Sequence, residues 1–183
     1  IGGDIVHSKT QGISPEIIEN LNWWFNELAN IAPVHVILGN HDGLILNEDR
    51  QDAITPIISA INNNNIKLFK KSGTYPTGIE GFNWCVFSCF DQKNWNLVKP
   101  VQDEINIACF HGAVMNSKTD TDWQLEGEVK LDFFDDYDFG FLGDIHKRQY
   151  LDKDKRIAYP GSPIQQNYGE DLKKGFLIWE IKN

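Results

Sequence analysis

The sequence predicts a layered α/β domain with mixed β-sheets, and three observations support this. Helical segments come first along the chain and β-like runs dominate later. Groups of polar residues stand directly after apolar, strand-like runs. The chain has 183 residues, of which 41% are hydrophobic, which is enough for one domain with a sizeable core.

The first half of the chain predicts two helices on either side of a strand. Ser14, Pro15 and Glu16 are typical of a helix start, as N-cap, first helical residue and first-turn acid. A second helix is expected between Ala53 and Ile61, although Pro56 disfavours it. Apolar residues recur at helical spacing in the first helix, at Ile17, Ile18, Leu21, Trp24, Phe25 and Leu28.

The rest of the chain predicts strands separated by turns. The first strand is expected at Val34–Leu38, between the two helices. Asn62–Asn65 is a turn, because asparagine favours turns. Further β-like runs occupy Ile66–Phe69, Asn83–Phe90, Ile105–Phe110, Phe139–Leu142, Arg156–Tyr159 and Phe176–Ile181.

Composition narrows the classes of function. A net charge of −9 argues against a protein that binds nucleic acid by general electrostatics, and it suits carboxylates gathered around cations. No run of 18 apolar residues is present, so the sequence predicts no membrane span. The three cysteines, Cys85, Cys89 and Cys109, lie in apolar runs and are predicted to be buried free thiols in a reducing compartment.

Four clusters of polar residues follow predicted strands. They contain four of the five histidines of the chain. Because the carboxyl ends of strands in α/β sheets border a common crevice, we expect the clusters to meet there. The clusters are Gly3-Asp4-Ile5-Val6-His7, Gly39-Asn40-His41-Asp42, His111-Gly112 and Gly143-Asp144-Ile145-His146.

The residue types in these clusters predict a metal site. Oxygen and imidazole ligands suit Mn²⁺, Fe²⁺ or Zn²⁺, and a carboxylate is able to bridge two cations about 3.5–4 Å apart, as in two-metal hydrolysis of phosphate esters. A histidine that is not a ligand is then available to protonate the leaving oxygen. Each residue taken alone has a structural alternative: a turn carboxylate for Asp4 or Asp144, a helix cap for Asn40, and a core histidine for His111.

The four clusters resemble the motifs of the calcineurin-like metallophosphoesterases. A closer likeness is to the nuclease subunit of double-strand-break repair complexes of the bacterial and phage SbcCD type. Three segments carry that likeness: GDIVH at 3–7, GDIHKRQ at 143–149 and YPGSPIQQNYGE at 159–170.

The resemblance implies a centre with two divalent ions. Asp4 is then the bridging carboxylate, with Asn40, His111 and Asp144 on one ion and His146 on the other. Mn²⁺ is expected, with Mg²⁺, Fe²⁺ or Zn²⁺ as alternatives. The family usually has histidine where this chain has Asp144, a difference that we expect to shift metal preference more than abolish binding.

The resemblance also implies the catalytic residues and the reaction. His41 is then the catalytic histidine, oriented by Asp42, and His7 contacts the phosphate or assists near the transition state. The expected activity is metal-dependent hydrolysis of phosphodiesters, as a DNA exo- or endonuclease in repair or recombination. The alternatives are a phosphatase or cyclic-nucleotide phosphodiesterase of the same fold, and a catalytically degenerate domain that binds a partner.

The implied fold is an α-β-β-α sandwich of two mixed β-sheets flanked by helices. Residues 1–183 are expected to form one nuclease domain that lacks the first strand and its D-x-H motif, so alone they should have little or no activity. The implied partners are DNA, an ATPase subunit and a second copy of the chain, with no membrane. The expected location is the cytoplasm, or the host cytoplasm for a viral protein.

Three further segments allow two interpretations each. Lys147 and Arg148 suit either contact with a nucleic-acid backbone or a solvated hairpin. Trp95 and Trp123 suit either base stacking or loop packing. The segment from Tyr159 to Ser162 suits either the lining of a pocket or a turn.

Overall fold

The computed structural model describes residues 1–8, 12–47 and 50–181. Within these ranges the chain forms two α-helices, two short 3₁₀ helices and eight strands. The elements are α1 (Pro15–Ile31), β1 (Val34–Ile37), α2 (Ile54–Ile61), β2 (Ile66–Phe69), β3 (Gly73–Pro76), β4 (Phe82–Phe87), a 3₁₀ helix (Gln92–Leu97), β5 (Ile105–His111), a 3₁₀ helix (Leu131–Phe134), β6 (Phe139–Gly143), β7 (Gln149–Tyr150) and β8 (Ile157–Tyr159).

The strands form two sheets, which confirms the predicted α/β class. The smaller sheet is the parallel pair β1–β2, joined through α2 as a βαβ unit. The larger sheet has the order β3-β4-β5-β6-β8-β7 and is mixed. Its central strands β4, β5, β6 and β8 are parallel, and β3 and β7 are antiparallel at the two edges.

Three apolar clusters show how the layers stack. One lies between the two α-helices and the smaller sheet and is centred on Phe25 and Val36. A second joins the two sheets through Ile37, Val86 and Cys109. The third packs the far face of the larger sheet against the 3₁₀ helices and their loops. The predicted helix-sheet-sheet-helix order therefore holds, with 3₁₀ helices in the outer layer of the larger sheet.

Helix α1 begins where the sequence predicts, but its buried stripe starts later. The Ser14 hydroxyl accepts a hydrogen bond from the Ile17 N–H at 3.4 Å, as expected of an N-cap. Ile17 and Ile18 are 39% and 44% exposed, so the first two residues of the apolar stripe are not part of the core. Burial begins one turn further along and continues at intervals of four residues, at Leu21, Phe25 and Ala29.

The predicted strand at Phe176–Ile181 is wrong. These residues form no strand, and Phe176 and Ile178 are 78% and 85% exposed. The segment instead lies on the face of β6, where Trp179 stacks on Phe141 with ring centroids 4.8 Å apart. β3 and β7 were not predicted, because β3 contains Gly and Pro and β7 has two residues, which leaves little strand signal.

The structure confirms that the cysteines are buried free thiols, and it favours packing over base stacking for Trp95. The three cysteines are free and buried, and burial raises the pKa of Cys85 to about 11 and those of Cys89 and Cys109 to about 12. Trp95 is a packing residue, since its indole N–H donates to the Ser88 carbonyl at 2.9 Å and its ring meets the edge of Phe110.

Among the described helices, none combines the length and apolar character that crossing a membrane requires.

Candidate metal centre

The site forms at the carboxyl ends of β1, β5 and β6. Parallel pairing of β5 with β6 places His111 beside Gly143, so the residues that follow each strand share one edge of the sheet. The Gly112 N–H donates to the Gly143 carbonyl at 3.3 Å and keeps the two chains together beyond the strands. Three of the four polar clusters predicted from the sequence follow β1, β5 or β6. The fourth, at residues 3–7, follows none of the described strands and is held to the loop after β1 by hydrogen bonds to Asp42.

Three of the predicted metal ligands converge in space. The Nε2 nitrogen of His111 lies 3.3 Å from Oδ1 of Asp4 and 3.7 Å from Oδ1 of Asp144. One ligand atom from each of the three lies within 4.8 Å of the other two. The His111 side chain is 1% exposed, while both carboxylates are about a quarter exposed. The group therefore forms the floor of an open site.

A hydrogen bond at Nδ1 of His111 determines which nitrogen of the ring carries the hydrogen. Its Nδ1 lies 2.6 Å from the carbonyl oxygen of Gly2. A carbonyl accepts and never donates, so Nδ1 carries the hydrogen and a neutral ring has its lone pair on Nε2. Within the described part of the chain, buried Nε2 has no hydrogen-bond partner, and it faces Asp4 and Asp144. A lone pair opposite two carboxylates is stabilised by a cation between them.

Asn40 contributes a second buried atom of this kind. Its Oδ1 is buried and has no hydrogen-bond partner among the residues that the structure describes. Burying an amide oxygen without a partner costs about 1–3 kcal/mol, so such atoms are rare unless a ligand completes them. Both orphaned atoms, Nε2 of His111 and Oδ1 of Asn40, belong to residues predicted as ligands of one ion.

The two carboxylates differ in their electrostatics. Burial opposes the ionisation of Asp4, but the nearby His111 imidazole and the hydrogen bond from the His41 N–H outweigh it and lower the pKa of Asp4. Burial raises the pKa of Asp144, and the charge of Asp4 adds to that rise despite nearby His111. Burial alone would lower the pKa of His111, but the nearby Asp4 carboxylate outweighs burial and raises the pKa of the imidazole. The cluster is thus short of positive charge.

The backbone around the cluster allows side chains little room. A Cβ atom on Gly3 would lie 2.5 Å from the Gly39 nitrogen, and one on Gly39 would collide with Asp4. Asp4 and Asp144 adopt positive φ angles of 53° and 94°, which cost L-residues about 1–3 kcal/mol each. The fold therefore maintains backbone strain at two of the predicted ligands.

Asp42 joins two of the loops. Its fully buried carboxylate accepts hydrogen bonds from the N–H groups of Gly39, Asp4, Ile5 and Val6, at 2.8–3.0 Å. Burial raises the pKa of Asp42 to about 6, and these hydrogen bonds act against the rise. The carboxylate fixes the loop that carries Asp4 to the loop that carries His41. Its predicted role in orienting the His41 side chain remains a prediction.

The arrangement agrees with comparisons to known proteins. Residues 1–172 match the family model of the calcineurin-like phosphoesterases. This chain belongs to the calcineurin-like phosphoesterase family. It is also 39% identical over 190 residues to the uncharacterized protein R555 of Acanthamoeba polyphaga mimivirus; the match covers 98% of this chain and 14% of that protein. The chain thus spans about one seventh of the curated relative that it matches.

Calcineurin-like phosphoesterases bind divalent metal ions, and the described residues fit such an ion. Asp4, His111 and Asp144 offer oxygen and nitrogen ligands within reach of one another, and Asn40 offers a buried oxygen. The donor set, three oxygens and one imidazole, suits Mn²⁺, Mg²⁺ or Fe²⁺. The identity of the metal remains a prediction.

The two histidines predicted for catalysis lie against each other. Nδ1 of His41 is 2.6 Å from Nδ1 of His7, and the ring centroids are 4.6 Å apart. When His7 donates in this contact, the neutral His41 ring carries its hydrogen on Nε2, the nitrogen directed away from the pair.

The structure places His146 outside the cluster of Asp4, His111 and Asp144. Its Nδ1 lies 2.8 Å from Oε1 of Glu170, and its side chain is 40% exposed. His146 remains close enough to lower the pKa of Asp144, against the larger effect of burial. It borders a pocket of about 300 Å³ that is also lined by Asp144 and Glu170.

Several residues at the site were not predicted from the sequence. Glu170 lies within the YPGSPIQQNYGE segment but received no role. Glu128 is a further carboxylate beside the cluster, where burial and the charge of Asp144 raise its pKa. Tyr159 is fully buried and braces the His111 loop, since its hydroxyl donates to the Gly112 carbonyl at 2.6 Å and accepts from the Val114 N–H. Tyr159 thus supports the site from below.

Proposed function

We propose that this domain hydrolyses phosphodiester bonds in DNA, with Mn²⁺ as the expected cofactor and repair or recombination as the setting. One observation carries the proposal: Nε2 of His111 faces two carboxylates at 3.3 and 3.7 Å, while the His7–His41 pair stands on loops fastened to the same cluster. The residues proposed to bind a cation and the histidine proposed to donate a proton would therefore act at one open edge of the sheet.

Every residue that the sequence predicts as a metal ligand has an oxygen or nitrogen atom able to bind a cation. Asp4, Asn40, His111 and Asp144 would hold one ion, and Asp4 together with His146 would contribute to the second. When bound, the ions supply Lewis-acid stabilisation of phosphate charge and lower the pKa of an attacking water. This residue set favours a working enzyme over a catalytically degenerate binding domain.

Within this proposal, His41 serves as the general acid. Its N–H backbone group donates to Oδ1 of Asp4 at 2.8 Å, which fixes the residue beside the bridging carboxylate. His7 holds the ring through the 2.6 Å contact between their Nδ1 atoms. Protonated His41 would donate a hydrogen bond from Nδ1 to His7 and transfer its Nε2 proton to the oxygen that leaves phosphorus, which returns the His41 ring to its neutral form.

DNA is favoured as the substrate by sequence features rather than by charge. The GDIVH, GDIHKRQ and YPGSPIQQNYGE segments resemble the nuclease branch of the family, and His7 is the additional histidine of that branch. A net charge of −9 means that binding does not rest on general attraction to a polyanion. A phosphatase or a cyclic-nucleotide phosphodiesterase of the same fold is the alternative.

The experiment uses the complete natural protein with Mn²⁺ and compares four substrates: end-labelled linear duplex DNA, bis-p-nitrophenyl phosphate, p-nitrophenyl phosphate and a cyclic nucleotide. Cleavage of DNA and of the diester, abolished by chelator and by Asp4→Asn, is the expected result. Preference for the monoester or the cyclic nucleotide would assign the alternative. Metal binding without any hydrolysis would indicate a binding domain.

The proposed partners are an ATPase subunit and a second copy of the chain. Both rest on the resemblance to repair nucleases. Light scattering after size-exclusion chromatography would measure the mass of the complete protein alone and after mixing with a candidate ATPase subunit. A monomer that does not associate with that ATPase would contradict both proposals.

A further inference from the structure

The segment after β8 carries a buried acid that contacts a site histidine. The Glu170 side chain is 5% exposed, and its Oε1 lies 2.8 Å from Nδ1 of His146. The same carboxylate accepts hydrogen bonds from the Gln166 N–H at 3.1 Å and from the Asn167 amide at 2.8 Å. Such a buried, multiply bonded carboxylate has little freedom to move, so it defines where the His146 ring stands.

A second buried ion pair holds this acid in place. Nζ of Lys174 lies 3.1 Å from Oε2 of Glu170 and 3.1 Å from Oδ2 of Asp120, and all three side chains are 7% exposed or less. Lys174 also donates to the backbone carbonyl of His146 at 2.9 Å. The segment 165–174 therefore contacts both the ring and the backbone of His146, and we refer to it as the strap.

The contact fixes which nitrogen of His146 is available. The other partners of the Glu170 carboxylate are all donors, namely the Gln166 N–H, the Asn167 amide and Nζ of Lys174, as an ionised carboxylate requires. An ionised carboxylate only accepts, so Nδ1 of His146 carries the hydrogen and a neutral ring has its lone pair on Nε2. His111 has the same tautomer, set by the Gly2 carbonyl.

We propose that Glu170 is a positioning residue, which holds the His146 ring through Nδ1 and presents Nε2 as the ligand for the second metal ion. Lys174 and Asp120 hold Glu170 in turn. The inference deepens the proposed function and rests on it for the role of His146. A carboxylate that accepts from a ligand imidazole also makes that imidazole a stronger electron donor.

The two ion positions consequently differ in how their histidines are supported. His111 is supported by a neutral carbonyl, and His146 by an anion. Among the contacts of the described residues, Glu170 and Lys174 meet His146 and none of the other proposed ligands, so loss of Glu170 should affect one ion and leave the other unchanged. This selective effect separates positioning from general destabilisation.

The first measurement needs no metal. Long-range ¹H–¹⁵N spectra of the complete metal-free protein at about pH 9, where histidine side chains are neutral, report the tautomer of each ring. We expect His146 to carry its hydrogen on Nδ1 in the native protein and to shift toward the Nε2–H form, which free histidine prefers, in Glu170→Ala. Glu170→Gln keeps an oxygen acceptor and should retain the native tautomer.

The second measurement is a calorimetric titration with Mn²⁺. We expect Glu170→Ala to weaken one of two binding events by about 10–100-fold, with Glu170→Gln intermediate. The matched control is Asp152→Asn, which alters another carboxylate that holds a backbone N–H, that of Ile157 at 2.9 Å, far along the hairpin β7–β8. Thermal unfolding of each variant measures how far stability alone has changed.

The outcomes separate the two proposals. If His146→Ala weakens one ion but Glu170→Ala leaves both the affinity and the His146 tautomer native, the role of Glu170 is wrong and the proposed function stands. If His146→Ala leaves Mn²⁺ binding unchanged, His146 is not a ligand, and the proposal for Glu170 falls with it. If Asp152→Asn weakens Mn²⁺ as much as Glu170→Ala does, the effect is one of stability and the positioning role is overturned.

Discussion

Nδ1 of His111 lies 2.6 Å from the carbonyl oxygen of Gly2, a residue 109 positions earlier in the chain. This hydrogen bond ties the end of β5 to the loop that carries Asp4. It also turns the lone pair of His111 toward Asp4 and Asp144. A single contact between distant segments thus sets both the geometry and the chemistry of the candidate metal centre.

Gly39→Ala should disable the metal centre. The added methyl group would collide with the backbone and carboxylate of Asp4 and lie 2.5 Å from Cε1 of His111, so these ligands would have to move. We expect loss of measurable Mn²⁺ binding in calorimetry, with a lower melting temperature. Gly12→Ala is the control, because a Cβ atom there meets nothing within 4 Å. Native affinity in Gly39→Ala would show that the cluster does not bind the ion.

His41→Ala should retain the metal and lose turnover. The backbone N–H that holds Asp4 remains in the variant, while the side-chain proton donor is removed. Loss of one general acid typically lowers the rate by about 10²–10⁴-fold. Calorimetry with Mn²⁺ and hydrolysis of a phosphodiester measure the two properties separately. A variant that loses the metal, or that keeps the full rate, would exclude His41 as the proton donor.

Substitutions at Asp144 should change metal preference. Asp144→His restores the residue usual in the family and should shift activation toward softer cations such as Zn²⁺, since imidazole is a softer ligand than carboxylate. Asp144→Ala should weaken one ion, because a ligand oxygen is lost. Activity profiles across Mn²⁺, Mg²⁺, Fe²⁺ and Zn²⁺ test both. Identical profiles in all three proteins would make Asp144 a turn residue only.

Asp52 should stabilise the domain in a pH-dependent way. Its carboxylate accepts from the N–H groups of Ile54 and Thr55 at the start of α2, and Lys70 lies 2.7 Å away. Burial opposes its ionisation, but Lys70 and Thr55 prevail and lower the pKa of Asp52. Asp52→Ala should therefore cost about 1–2 kcal/mol of unfolding free energy at neutral pH.

The sign of the pH effect follows from the lowered pKa of Asp52. The stabilisation is fully present above the unfolded pKa of about 3.9 and is lost as pH falls through the lower folded pKa. Urea unfolding at neutral pH and at about pH 3 should therefore show a smaller difference between native protein and Asp52→Ala in acid. Exposed Asp154→Ala is the control. A difference that grows in acid would contradict the assignment.

The sequence predicted the centre well where a local pattern carried the signal. A polar residue next to glycine after an apolar strand marked Asp4, Asn40, His111 and Asp144, and the structure brings Asp4, His111 and Asp144 together. The strand ends were informative because the residues that follow neighbouring parallel strands lie at the same edge of the sheet.

Contacts between segments that are distant in the sequence could not be predicted from local patterns. Glu170 meets His146 across 24 residues of loop and short strands, and no spacing rule connects them. Three of the four N–H groups that donate to Asp42 belong to residues 4–6, which no sequence pattern connects with Asp42. Phe176–Ile181 has the composition of a strand, but its place on the face of β6 was decided by packing of Trp179.

Asp42 has a consequence for anyone who engineers this scaffold. Because one carboxylate is shared by the backbone of residues 4–6 and of Gly39, neither loop is an independent module. A loop transplanted from a relative with a different path near residue 5 would leave two or three of those N–H groups without their acceptor. The two loops therefore have to be exchanged as a pair, with Asp42 included in the graft.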